Sequence, residues 1–127
     1  MADAGDKVLL LVAHGSRREV SNEEVRELTA RLARRLAPGC WQVRHAFLEL
    51  ASPSVPEGID EAVVAGARHI TLLPYFLVDG RHVAADLPQI VAAKQRQYPQ
   101  VLFEQADYLG KSEGVLDILA AMVNERR

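Results

Sequence analysis

The chain is poor in the features that would open several function classes. It has one cysteine among 127 residues, so no internal disulfide can close, and a reducing cytoplasm is the expected compartment. Cys40 sits beside Trp41, apart from other ligand types, and is read as passive. No apolar run approaches the roughly 20 residues needed to cross a bilayer, so no membrane partner is expected. Basic residues do not outnumber acidic ones, 15 against 17, and a formal net charge of -2 argues against a nucleic-acid footprint. The first residues, "MADAGDK", lack both the basic region and the apolar stretch of a secretion signal. There is no low-complexity segment, internal repeat or linker. What is present is ordinary for one globular domain, with 49% hydrophobic and 25% charged residues. The whole chain, 1–127, is therefore read as a single domain.

Strand-like and helix-like patterns alternate along it. "KVLLLVA" (7–13) is a short continuous apolar run, the mark of a strand covered on both faces. A helix is expected from about residue 21, because Ser21 and Glu24 have capping-box spacing and Val25, Leu28, Leu32 and Leu36 share a face. Pro38-Gly39 stops it. "WQVRHAFLEL" (41–50) reads as a second strand. Ser54 and Glu57 repeat the capping-box spacing before a second helix with Ile59, Val63 and Ala67 inward. "HITLLPYFL" (69–77) is a third strand. A third helix runs to about Tyr98, with Asp86 as its cap and Pro88 in its first turn. "QVLFEQA" (100–106) is a fourth strand, and Ser112 opens a last helix carrying Val115, Ile118, Leu119 and Met122 inward. Four β-α units imply an α/β three-layer sandwich: a four-stranded parallel sheet with helices on both faces.

In such sheets ligands bind beyond the carboxyl ends of the strands. Three ends carry chemistry. The first strand ends in His14-Gly15-Ser16-Arg17. The second ends in "FLELASPS", with Glu49 and Ser52 at its rim. The third runs into "PYFLVDGRHV", which puts Asp79, Gly80, Arg81 and His82 in the following loop. If the first and third strands are neighbours, His14 and His82 converge. His45, mid-strand, and His69, at the opposite edge, are read as structural or solvated. Two neutral imidazoles on facing loops suit a borderline divalent metal such as cobalt, nickel, iron or zinc. Two ligands are too few for a closed structural zinc site, so such a site would be open. Taken singly, either histidine is equally well read as a helix-end residue. Phe47, Leu50, Pro74, Tyr75, Phe76 and Leu77 cluster near this edge with Arg17, Arg18 and Arg81. An apolar wall rimmed by arginines suits a large flat molecule bearing carboxylates.

At these residues the chain resembles a known family. "HGSR", "FLELASPS", "LLPYFLVDGRHV" and "DLP", in this order and spacing over about residues 7 to 125, are similar to the class II tetrapyrrole chelatases, above all the short CbiX type. The resemblance implies a chelatase-like half-domain that inserts a divalent metal into sirohydrochlorin without ATP, in cobalamin or siroheme-type biosynthesis. Cobalt is the first expectation, with iron and nickel as alternatives; the metal is a substrate, and no organic cofactor is expected. It also implies a homodimer with the site in the cleft between subunits. By motif, His14 becomes metal ligand and proton acceptor, and His82 the second metal ligand. The stretch from Leu77 through Val78, Asp79, Gly80 and Arg81 to His82 is implied to line the macrocycle. Relatives often carry an acidic residue before the proline of the second strand's turn. Ser52 stands there instead, with Glu49 three residues earlier. Ser16 and Arg17 are placed to meet substrate carboxylates. "KQRQYPQ" occupies the place of a histidine-rich insertion found in some short relatives.

The residues fit that chemistry. A free-base macrocycle must lose two pyrrole protons as the metal loses its waters. One imidazole cannot hold the metal and take a proton at once, and a second histidine relieves the conflict. Glu49 could accept the second proton if it faces the cleft; otherwise it is a solvated strand end. Histidine phosphatases end their first strand in Arg-His-Gly, but Ala13 here stands in place of that arginine. A Ser-His hydrolase lacks its "GxSxG" elbow. A non-catalytic tetrapyrrole or metal carrier needs the same ligands and stays open at the level of sequence.

Overall fold

The computed structural model describes residues 6–36, 39–78 and 80–125, without the side chains of 81–85. The elements run β1 (Lys7–Ala13), α1 (Glu19–Arg35), β2 (Gln42–Phe47), α2 (Val55–Val64), β3 (His69–Pro74), α3 (Arg81–Gln97), β4 (Leu102–Gln105), a 3-10 turn (Leu109–Lys111) and α4 (Glu113–Asn124). The four strands form one sheet in the order β2-β1-β3-β4, and every pair is parallel. This is the α/β arrangement expected, with β1 and β3 adjacent as the histidine pairing requires.

The helices divide between the faces. Gly58 of α2 backs onto the Ala46 and Leu10 side chains, so α2 lies on the face carrying Leu10 and Val12. On the other face, the α1 residue Arg26 lies 5.7 Å from the centre of the Phe47 ring, whose register partner is Ala13. The α2–α3 face holds the main core, with Val8, Leu10, Val12, Ile59, Ile70 and Leu72 wholly buried. A clasp joins the two helices on this side. Asp60 accepts hydrogen bonds from Lys94 Nζ and the Tyr98 hydroxyl, each at 2.7 Å. Burial works against the Asp60 charge, but these two donors outweigh it and hold its carboxyl below the usual range.

Four expectations change. α1 starts at Glu19 with Arg18 as its cap residue, and Ser21 and Glu24 form no capping box. Hydrogen bonds between Asn22 and the Ser16 main chain order the segment ahead of Glu19 and start the helix early. α3 starts at Arg81 with Gly80 as its cap residue, so Asp86 caps nothing and Pro88 lies inside the helix. Leu87, 1% exposed in the core, with Ile90 and Val91 packed against it, holds the helix together past a residue that cannot donate backward. Ala67 is buried but follows α2 rather than belonging to it. α4 buries no residue, and Ile118, Leu119 and Met122 are 61%, 53% and 58% exposed rather than inward. Amphipathicity shows that a helix has a face to cover, not what covers it. The Ser54–Glu57 capping box is present in both directions.

The two histidines away from the strand ends are structural. His69 Nε2 lies 3.1 Å from Glu104 Oε1, and the ring meets Trp41. The His45 ring packs against Phe47, and its pKa is pushed down by burial first and by the nearby Arg26 charge second. A histidine with a depressed folded pKa stabilises the fold above its unfolded value, about 6.5, and that contribution is lost as the pH falls through the folded value. The urea midpoint is therefore expected to fall between about pH 7 and pH 5, and to fall less steeply in His45→Gln, as measured by parallel denaturation series. An equal slope in the two proteins would reject this role. Replacing the cap, Ser54→Ala, is expected to cost about 1 kcal/mol in the same measurement.

Candidate functional site

The tip of β1 is held between its neighbours beyond the regular strands. Leu48 N donates to Ala13 O at 2.9 Å and Glu49 N to His14 O at 3.1 Å, while on the other side Tyr75 N donates to Val12 O at 2.8 Å. The main chain thus carries Glu49 alongside His14. Gly15 then turns the chain at φ 95°, and a Cβ there would collide with the Glu49 carbonyl oxygen. Only glycine meets both demands.

Asn22 secures the loop between Gly15 and α1. It is 2% exposed; its Oδ1 accepts from Ser16 N at 3.0 Å and its Nδ2 donates to Ser16 O at 2.8 Å. Ser16 Oγ in turn accepts from Arg18 N at 3.0 Å, which leaves its hydroxyl proton free to donate outward. Sequence reasoning missed Asn22. Its signal was a polar residue on the apolar stripe of α1, in line with Val25, Thr29 and Leu32.

His14 is exposed, its ring edge-on to Phe76 with centroids 5.6 Å apart. It opens onto a cleft of about 650 Å³ lined also by Leu48, Glu49, Asp86, Gln89, Ile90 and Ala93. The last four are spaced as one face of a helix, so α3 forms the far wall. That volume is in the range of small-molecule sites. On its α1 side His14 borders a second hollow, about 240 Å³, with Ser16, Asn22 and Tyr75. Glu49 therefore faces the cleft. The wall from α3 is invisible to a reading that gives Asp86 to capping; once the helix begins at Arg81, its 86-89-90-93 stripe turns toward His14.

The other candidates are distributed around this edge. Arg17 and Ser52 are exposed but do not line the cleft, nor do Leu77 and Val78, which are 67% and 78% exposed at the end of β3. Of the apolar cluster, Phe47, Pro74 and Phe76 are buried and belong to the core, whereas Leu50, Tyr75 and Leu77 stand out in solvent. Leu50 does so at φ 64°, a conformation costing a branched side chain about 1 kcal/mol. Gly80 is the exposed residue before α3. Asp79 lies outside the described residues. Arg81 and His82 fall in the first turn of α3, with their side chains outside the description. His14 directly follows β1, and the segment leading to the first turn of α3, where His82 lies, leaves the neighbouring strand β3. Among the described residues no three His, Cys, Asp or Glu side chains gather to hold a metal ion.

Gly15→Ala is expected to lower the unfolding midpoint and displace Glu49 from His14, because the added carbon has no space; unchanged stability would reject the close approach. Asn22→Ala removes two bonds to a half-buried backbone and is expected to cost about 1–3 kcal/mol in denaturant unfolding.

The family CbiX matches residues 8–126 of this chain. Among individual proteins, it is 31% identical over 117 residues to a sirohydrochlorin ferrochelatase of Priestia megaterium, covering 92% of this chain and 43% of that one. It is 27% identical over 122 residues to a sirohydrochlorin cobaltochelatase of Methanococcoides burtonii, covering 93% and 92% respectively. A crystal structure of a cobalamin biosynthesis CbiX protein from Marinobacter aquaeolei VT8 superposes with a TM-score of 0.80 at 25% identity, over 94% of this chain and 95% of that one. Several relatives are longer, and the chain spans about half their length or less.

Proposed function

The chain belongs to the CbiX family, and on that premise we propose that it inserts a divalent metal ion into sirohydrochlorin, without ATP or an organic cofactor. The observation that carries this reading is the exposed His14 with Glu49 beside it, facing a cleft walled by α3. Insertion exchanges two pyrrole N–H bonds for bonds to the metal and releases two protons. His14 and Glu49, side by side at the cleft, are the groups proposed to take them, with the Asp86 carboxylate on the facing wall. His82, in the first turn of α3 after the neighbouring strand, is proposed as the second metal ligand, so that one imidazole holds the ion while the other is free to accept a proton. Ser16 and Arg17 at the lip, with Ser52 and the chain from Leu77 through Asp79 to Arg81, are proposed to meet the macrocycle and its carboxylates. An arginine suits a carboxylate through paired, charge-assisted hydrogen bonds.

Cobalt is the proposed ion, with iron and nickel as alternatives. The relatives include both ferro- and cobaltochelatases, and nitrogen and oxygen ligands alone do not choose among these metals. The reading places the reaction in cobalamin or siroheme-type biosynthesis in the cytoplasm. It treats the chain as one domain acting as a homodimer, its site in the cleft between copies.

An anaerobic assay with sirohydrochlorin and Co(II), Fe(II) or Ni(II), followed by absorbance, tests it. Many turnovers per chain are expected. His14→Ala and His82→Ala should each lower kcat/KM at least about 100-fold, and Glu49→Gln by a factor on the order of 100, the usual worth of a positioned proton acceptor. Undiminished turnover by His14→Ala would sink the mechanism. One equivalent bound per chain with no turnover would replace it with the carrier reading.

A further inference from the structure

The cleft beside His14 has two unlike walls. One is built from the ends of β1 and β2 and carries His14, Leu48 and Glu49; the other is α3, with Asp86, Gln89, Ile90 and Ala93. α3 begins at the carboxyl edge of the sheet and runs back along it. Asp86 therefore stands near the mouth, and Ala93 lies about 10 Å further in. Ile90 and Ala93 make the deep end of this wall apolar. A flat molecule entering between the walls turns one face to each.

The groups able to bind a proton are split in the same way. His14 and Glu49 belong to one wall and Asp86 to the other, where its neighbour Gln89 is an amide and cannot serve. Both carboxylates are exposed, and neither meets a cation or a hydrogen-bond donor among the described residues. Other acids of the chain are tied up: Glu19 by Arg26, Asp60 by Lys94 and Tyr98, and Glu104 by His69. A carboxylate held by a cation is a poorer proton acceptor, because the partner favours its charged form. No lysine or arginine among the described residues lines the cleft. Lys94, next after Ala93, is turned away to Asp60 at 2.7 Å and to Gln97 at 2.9 Å.

We propose that Asp86 accepts the pyrrole proton that leaves on the macrocycle face turned away from His14. The inference rests on the metal-insertion reading and divides its two protons between the walls. An ion held by His14 meets the ring from the His14 side. A second proton leaving by that side would pass a divalent cation, and the repulsion is stronger in a cleft than in open water. The α3 side carries no such charge. There the N–H bond breaks, its electron pair stays on nitrogen and forms the bond to the metal, and the proton passes to a carboxylate oxygen of Asp86. The acid so formed stands exposed near the mouth and returns its proton to water before the next turnover. The other proton leaves on the near face, to Glu49 or His14, before the ion closes on the ring.

Steady-state insertion by the full chain, with sirohydrochlorin and Co(II) followed by absorbance, tests this. Asp86→Asn keeps the side chain's shape and removes its basic oxygen. It should lower kcat about 100-fold, with KM and the dissociation constant of metal-free sirohydrochlorin within about threefold of wild type. Asp86→Glu should recover most of the loss. In Asp86→Ala, added formate or acetate should restore turnover, acetate more at equal concentration because it is the stronger base. The unfolding midpoint should not move, since Asp86 is exposed and makes no hydrogen bond among the described residues. Full kcat in Asp86→Asn overturns the assignment, as does a loss that sits in KM or that acetate leaves untouched. Mild losses in Glu49→Gln and Asp86→Asn, with a severe one only in the double variant, would mean that both serve one proton and would overturn the division between faces. Each of these outcomes leaves metal insertion standing, whereas a wild type without turnover overturns that reading itself.

Discussion

The carboxyl edge of this sheet depends on how closely the tip of β1 is held between its neighbours. Main-chain bonds from Leu48 and Glu49 on one side and Tyr75 on the other continue past the regular strands, fixing Val12, Ala13 and His14 in register. The approach is so tight that the carbonyl of Glu49 fills the space a side chain at residue 15 would need. A central parallel strand pairs on both sides, so its tip cannot drift as an edge strand can. Placing a histidine one residue beyond such a strand gives an exposed imidazole a fixed address. The adjacent carboxylate is placed by the same bonds, because Glu49 is positioned by its own N–H and not by its side chain.

The loop after His14 is fixed from inside the protein. Asn22 takes both hydrogen-bonding groups of the Ser16 backbone from a buried position, leaving the Ser16 hydroxyl and the Arg17 side chain outward. The Asn22 amide is inward and satisfied, so the loop is held in one conformation from below, as a preorganised site requires. Leu50 shows the opposite economy. An apolar side chain stands exposed at positive φ on the rim of the same edge. Unfavourable backbone and unfavourable exposure at one residue are expected where a surface waits for something to cover it.

Much of this is legible in the residues, and the exceptions share a cause. The β1 run marks its own limits because six apolar residues between Lys7 and His14 leave little choice. Strict β-α alternation implies the parallel sheet, and the adjacency of β1 and β3, a condition at the level of sequence, is met by the observed order. His14 and Glu49 stand out as polar residues closing apolar strands. The starts of α1 and α3 escape a local reading because a capping pattern is short-range, and the true starts are set by contacts beyond it. Asn22 reaches back to Ser16 across the helix start, and α3 runs through Pro88 despite the lost bond. The α3 wall of the cleft disappears with that error, since its stripe is recognisable only when the helix is known to include Asp86. The side-chain meeting of His14 with His82 stays a reading of topology, because β1 and β3 bring their loops together but the described side chains stop short of it.

The two faces of the sheet do different work. On the α2–α3 side the strands present wholly buried Val8, Leu10, Val12, Ile70 and Leu72, and the Asp60–Lys94–Tyr98 clasp ties the covering helices together. Burial of this kind carries most of the stability of a small domain. The α1 side is covered over β2 and half-open over β3 and β4. A 127-residue chain with one complete face can fold on that face while the other stays half-covered. The cleft lies where the complete face ends, between the tips of β1 and β2 and the first turns of α3. His14 and Glu49 thus stand where the packed half of the domain ends, so the main-chain bonds that hold them are backed by the buried side of the sheet.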